Sequence, residues 1–114
     1  MPDREKKGDK RTGTALKERG EERVKRPRMF RVVIHNDDFT PIEFVTMLIA
    51  QVFRKSMEEA AQITMTVHLQ GAATAGVYTR EIAETKIHEA MAHAERLEHP
   101  LQLTMEPVDD GEEG

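Results

Sequence analysis

Ile34-His35-Asn36-Asp37-Asp38-Phe39-Thr40-Pro41-Ile42-Glu43-Phe44-Val45 packs a strand end, a polar corner and a helix start into one short stretch. Upstream, residues 29–35 alternate. Phe30, Val32 and Ile34 fall on one face and Arg31 and His35 on the other, the pattern of a half-buried strand. Downstream, Thr40 can cap a helix, Pro41 fits its first turn where no N–H is needed, and Glu43 completes a capping box. Apolar residues at 45, 48, 49, 52 and 53 then trace one helix face as far as Arg54-Lys55. Asn36, Asp37 and Asp38 are thereby held between two rigid elements.

Working outward, Ser56 and Glu59 form a second capping box. It opens a helix through Ala60, Ile63, Met65 and Val67 to His68, which Gly71 terminates. Residues 72–78 read as a Gly-interrupted strand. Thr79 is placed to cap a third helix, in which Ala83, Ile87, Ala90, Ala94 and Leu97 recur at steps of four and three until His99-Pro100 stops it. Leu101, Leu103 and Met105 alternate in a final short strand before Pro107. The order β-α-α-β-α-β predicts a small α/β sandwich of the α+β type, with three strands covered on one face by three helices.

The charge is unevenly spread. Residues 1–28 hold 11 Lys and Arg against 6 Asp and Glu, net +5, whereas residues 29–114 hold 6 against 15, net −9; together they give the −4 of the whole chain. The first segment has only Leu16 and Val24 as large apolar residues between Pro2 and Arg28, too few to offset the entropy of ordering. The expected organisation is a basic disordered arm over 1–28, one folded domain over 29–107 and a frayed acidic tail over 108–114. A domain of that size buries only about 60–65% of its unfolded surface, so modest stability is expected. With no cysteine there is no disulfide, thiolate site or thiol nucleophile. Neither a signal-peptide pattern nor an apolar run of membrane-spanning length is present, so the expectation is a cytoplasmic protein with no membrane partner.

The chemistry concentrates at the corner. Three adjacent carbonyl-bearing side chains form a cluster of acceptors that suits a cation or an amine and poorly suits a phosphate. Two readings stand side by side: ordinary turn residues bonded to their own backbone, or a site for a group cationic at one end and greasy at the other, since Ile34, Thr40, Ile42 and Val45 surround the corner. His68 likewise reads either as a residue interacting with the dipole at a helix C-terminus or as a fourth polar group of that site. His35, His88, His93 and His99 read as surface positions. No histidine spacing supports a zinc site, so no metal and no cofactor is expected. Adjacent Asp37 and Asp38 do not converge on one substrate atom, and no nucleophile–base constellation is evident; the chain is not expected to be an enzyme. The basic arm raises nucleic-acid binding as a competing class, but interspersed acids, absent aromatics and the acidic domain oppose it. A generic interaction module using the third helix is the other competitor.

Asn36-Asp37-Asp38-Phe39-Thr40-Pro41, Glu43-Phe44-Val45, Val67-His68 with Gly71, Gly76-Val77-Tyr78-Thr79, Glu81-Ile82-Ala83-Glu84-Thr85-Lys86 and His99-Pro100-Leu101 together strongly resemble the ClpS family of ATP-dependent Clp protease adaptors. The resemblance spans residues 29–107 and implies a three-stranded antiparallel sheet with three helices. It implies an adaptor, a monomer, that binds proteins or peptides through a free, bulky hydrophobic N-terminal residue and delivers them to a Clp AAA+ unfoldase. It further implies that Asn36, Asp38 and His68 bond the substrate's α-amino end, with Asp37 adding negative charge. Ile34, Thr40, Ile42, Val45, Thr64, Val67 and Leu101 would line the hydrophobic pocket, and Glu81 and Lys86 would dock on the unfoldase. The arm would match the extension used in delivery. Ile42 and Thr64 stand where the family commonly has methionine, and a stiff Ile and a short polar Thr imply a differently shaped pocket.

Overall fold

The structure, a computed structural model, describes residues 27–108. Six elements follow in the predicted order: β1 (Met29–His35), α1 (Ile42–Val52), α2 (Met57–Gln70), β2 (Ala72–Thr79), α3 (Arg80–Arg96) and β3 (Gln102–Pro107). The strands form one antiparallel sheet in the order β2-β1-β3. β1 is the central strand, and its Val32 and Ile34 are wholly buried. Its alternate residues Arg31, Val33 and His35 are half-buried. Arg31 faces Glu106 across the β1–β3 pair at 3.8 Å, and the His35 ring nitrogen Nε2 bonds the Thr104 hydroxyl at 2.8 Å. His35, read as a surface position, is therefore tied to the neighbouring strand.

The β1–β2 register slips by one residue, since Val32 opposes Gly76 and Val33 opposes Thr74. Ala75 is the extra residue of a bulge, which explains the glycine-interrupted character of this strand. A Cβ on Gly76 would collide with the Tyr78 ring.

Helix packing follows the apolar stripes. α3 lies across all three strands, α1 packs against α2 and α3, and α2 against β2. Ala83, Ala90 and Ala94 are buried, and small residues let α3 sit close to the sheet. α1 is the largest single contributor to the core, through Phe44, Val45, Leu48, Ile49 and Val52.

The Ser56–Glu59 capping box is present in both directions, and Gly71 closes α2 in the left-handed conformation at φ 94°. The other two caps differ from expectation. Pro41, not Thr40, occupies the cap position of α1 and makes no side-chain cap bond, because the Thr40 hydroxyl donates instead to Asp37 at 2.6 Å. Thr79 sits at the cap of α3 but makes no side-chain bond there. Leu97 and Met65, assigned to buried stripes by spacing, are 57% and 49% exposed. α3 stops at Leu97, where Glu98 turns to φ 61°. At the C-terminal boundary, Val108 belongs to the folded unit rather than to a frayed tail: it is buried and its N–H donates to the Met29 carbonyl at 2.9 Å. The expected arm, up to residue 26, and the tail from 109 lie outside the described residues.

Candidate functional site

Antiparallel pairing decides which segments meet. His35, the last residue of β1, pairs with Ala72 at the start of β2 and with Gln102 at the start of β3. The polar corner after β1, the end of α2 before β2 and Leu101 before β3 therefore gather at one end of the sheet. A backbone bond fixes the first two: the Asn36 N–H donates to the Gly71 carbonyl at 2.8 Å. His68 is exposed on the last turn of α2. Three segments far apart in sequence, each carrying polar or apolar candidates, share one edge.

Within the corner the side chains are ordered by one another. The Asn36 amide donates to an Asp38 oxygen at 3.2 Å. That bond uses one amide N–H and one carboxylate oxygen, so the Asn36 carbonyl oxygen and the second Asp38 oxygen remain as acceptors. Asn36 and Asp38 are exposed, so neither acceptor is sealed from a ligand. Asp37 behaves differently: it is half-buried and its carboxylate accepts the hydroxyl of Thr40, which is only 7% exposed. The Asp37 backbone carbonyl also accepts from the Thr40 N–H at 3.2 Å. Asp37 thus braces the turn, while Asn36 and Asp38 present acceptors outward.

Most of the expected pocket residues are buried. Ile34, Val45, Thr64, Val67 and Leu101 are each 6% exposed or less, and Thr40 is buried as well. Ile42, by contrast, is 45% exposed at the start of α1, next to Phe39, which is 81% exposed. Exposed apolar side chains thus follow the acceptors in the chain, and the other apolar candidates belong to the core.

Sequence reasoning missed Thr46. Its hydroxyl lies 3.1 Å from the Ile42 carbonyl and 2.9 Å from the Thr64 hydroxyl, which itself donates to the Ala60 carbonyl at 2.8 Å. The i−4 back-bond is a common habit of helical threonine. The contact across 18 residues to a second helix has no local signal.

Glu81 and Lys86 lie toward the other end of the sheet, since Thr79, just before α3, pairs with Met29. Glu81 is exposed in the first turn of α3, beside half-exposed Val77 and Ile82. Lys86 is partly engaged inside the fold. Its ammonium donates to the Val52 carbonyl at the end of α1 at 2.7 Å and stands 5.8 Å from the Tyr78 ring centre. An ammonium has three donors, so two remain for another acceptor.

Two shallow grooves lie elsewhere, along α3. One of about 550 Å³ is lined by Ile87, Met91 and Met105 with Glu84 and Glu95 at its rim. The other, of about 520 Å³, runs past Glu98, His99 and Pro100 and touches Leu101. Neither contains the corner acceptors. Among the described residues, no group of three His, Cys, Asp or Glu is arranged to hold a metal, and no helix is long and apolar enough to cross a membrane.

Comparison with known proteins matches residues 25–104 to the sequence model of the ATP-dependent Clp protease adaptor protein ClpS. This chain belongs to the ClpS family. The ClpS adapter of Paraburkholderia phymatum is 50% identical over 98 residues, which cover 86% of this chain and 93% of that protein. The ClpS adapter of Paraburkholderia xenovorans is 49% identical over the same shares. A solved structure of Agrobacterium tumefaciens ClpS2 bound to L-phenylalaninamide is 42% identical, with a TM-score of 0.71, and covers 73% of this chain and all of that one. The β-α-α-β-α-β fold is thus the ClpS fold, and as a ClpS protein the chain is an adaptor of the Clp protease rather than an enzyme.

Proposed function

We propose that this adaptor captures substrates by a free, bulky hydrophobic N-terminal residue and delivers them to a Clp AAA+ unfoldase in the cytoplasm. The observation that carries the reading is the junction of the Asn36–Asp38 acceptor pair with the end of α2 through the Asn36–Gly71 bond. In it, Asn36 Oδ1, the free Asp38 oxygen and His68 bond the substrate's amino end, and Asp37 holds the turn and adds charge. Ile34, Thr40, Ile42, Val45, Thr64, Val67 and Leu101 form the walls for the first side chain. The relative bound to L-phenylalaninamide, an amino acid amide with a free amine and an aromatic side chain, supports this ligand chemistry.

The physics is selective. A free α-amine has a pKa near 7.7–8 and is mostly an ammonium at neutral pH. Its three N–H donors match a fork of acceptors, whereas an internal amide has one donor and no charge and would leave acceptors unpaired. Charge-assisted bonds of about 1.5–3 kcal/mol each and about 1.5–3 kcal/mol for burying a large side chain exceed association costs by enough for roughly micromolar affinity. That strength permits both selection and release.

Delivery would use the opposite end of the sheet, around Glu81 with Val77 and Ile82, and the free donors of Lys86. Substrate and unfoldase would then not compete for one surface. The absence of cysteine and of a membrane-crossing helix among the described residues supports the cytoplasmic assignment. The test is fluorescence anisotropy of a labelled peptide beginning with free Phe against its acetylated form. Micromolar binding of the free amine alone, lost in Asp38→Ala, is expected; equal weak binding of both forms would refute the reading.

A further inference from the structure

The hydroxyl pair between α1 and α2 points to a finer preference within the proposed pocket. Thr64 is 3% exposed and one helical turn before His68, so the two residues lie on one face of α2. Thr46 is one turn after Ile42 on α1, the helix that grows directly out of the acceptor corner. The 2.9 Å contact between Thr46 Oγ1 and Thr64 Oγ1 therefore bridges the two helices about one turn, some 6 Å, below the level of His68.

Counting protons shows what this bridge lacks. Two hydroxyls carry two protons and four lone pairs. The Thr64 proton goes to the Ala60 carbonyl, and the Thr46 proton goes either to Thr64 or to the Ile42 carbonyl. At least three lone pairs on the two oxygens are left over, and among the described residues no side chain donates to them. The bridge is short of donors, not of acceptors. Thr46 is only part-buried, so a ligand entering between the helices can reach it.

We propose that Thr46 and Thr64 are specificity-determining residues that favour N-terminal Tyr and Trp over Phe and Leu. This rests on the amino-terminal reading above. With its ammonium held at Asn36, Asp38 and His68, an aromatic first residue lies between α1 and α2 and brings its far end down to the threonine pair. A phenol O–H or an indole N–H supplies the missing donor; a phenyl ring or an isobutyl group cannot. Thr64 itself donates to its own helix and Thr46 is only part-buried, so the discrimination is moderate rather than absolute.

The test compares peptides identical except for a first residue of Tyr or Phe, each with a free and an acetylated amine, by anisotropy. The native protein is expected to bind free Tyr about threefold to tenfold more tightly than free Phe. Thr64→Val keeps the branched shape and removes the hydroxyl; it should bring the Tyr-to-Phe ratio to unity or below. Thr46→Val, at a part-buried position, should cut the same ratio. A ratio of one in the native protein, or one unmoved by either substitution while free amines still bind, overturns the role of the pair alone. Free and acetylated peptides binding equally would overturn the amino-terminal reading and this inference with it.

Discussion

The backbone N–H of Asn36 donates to the carbonyl of Gly71 at 2.8 Å, which ties the end of β1 to the last turn of α2. Gly71 adopts φ 94°, a conformation that costs an alanine about 1–2 kcal/mol, and a Cβ there would meet nothing within 4 Å. Gly71→Ala should therefore lose stability for torsional reasons alone, by about 1 kcal/mol in urea denaturation. It should also weaken binding of a free Phe peptide, because the strained carbonyl positions Asn36. Unchanged stability would mean that the α2 terminus does not depend on the left-handed turn.

Asp37 and Asp38 are adjacent but do different work, and their alanine variants should separate. Asp37 accepts the buried Thr40 hydroxyl at 2.6 Å, so Asp37→Ala strands that hydroxyl and should cost about 1–2 kcal/mol of stability. Asp38 is exposed; Asp38→Ala should change stability by less than about 0.5 kcal/mol yet abolish peptide binding. Denaturation midpoints and anisotropy on the two variants check the split, which fails if both carboxylates affect stability alike.

Lys86 joins α3 to the C-terminal end of α1 by its bond to the Val52 carbonyl. A cation there also meets the negative end of the α1 dipole. Lys86→Met should therefore lose about 1–2 kcal/mol in the isolated protein, with no partner present. If Lys86 served only to touch the unfoldase, the denaturation midpoint would not move.

Tyr78 offers a pH readout. Partial burial beside Phe53 raises its phenol above the ordinary value of 10.0. A raised folded pKa means that its share of stability is intact below pH 10 and is lost as pH rises from 10 through the folded value. With one tyrosine and no tryptophan in the chain, phenolate absorbance reports this group alone. The native midpoint should lie above that of the urea-unfolded chain; coincident midpoints would contradict the burial argument.

Legibility in the sequence followed the range of the forces involved. Ser56 and Glu59 announced their helix start because a capping box is closed within four residues. Thr40 and Thr79 had equally suitable chemistry, yet neither caps through its side chain: Thr40 donates to Asp37 instead, and nothing in the structure explains the missing cap at Thr79. Spacing placed Met65 and Leu97 in buried stripes, but each stripe is narrower than its period suggests once neighbouring elements leave that part of the helix uncovered.

The sequence by itself determined the six elements, their order and the composition of the corner, because alternation, helical periodicity and turn chemistry act between near neighbours. Only the tertiary structure decided what stands beside the corner. The β2-β1-β3 register gathers residues 36–40, the end of α2 and Leu101 at one edge, turns Lys86 toward Val52, and sets Thr46 against Thr64 across two helices. Those relationships depend on strand pairing and helix packing between residues tens of positions apart, which no local pattern encodes.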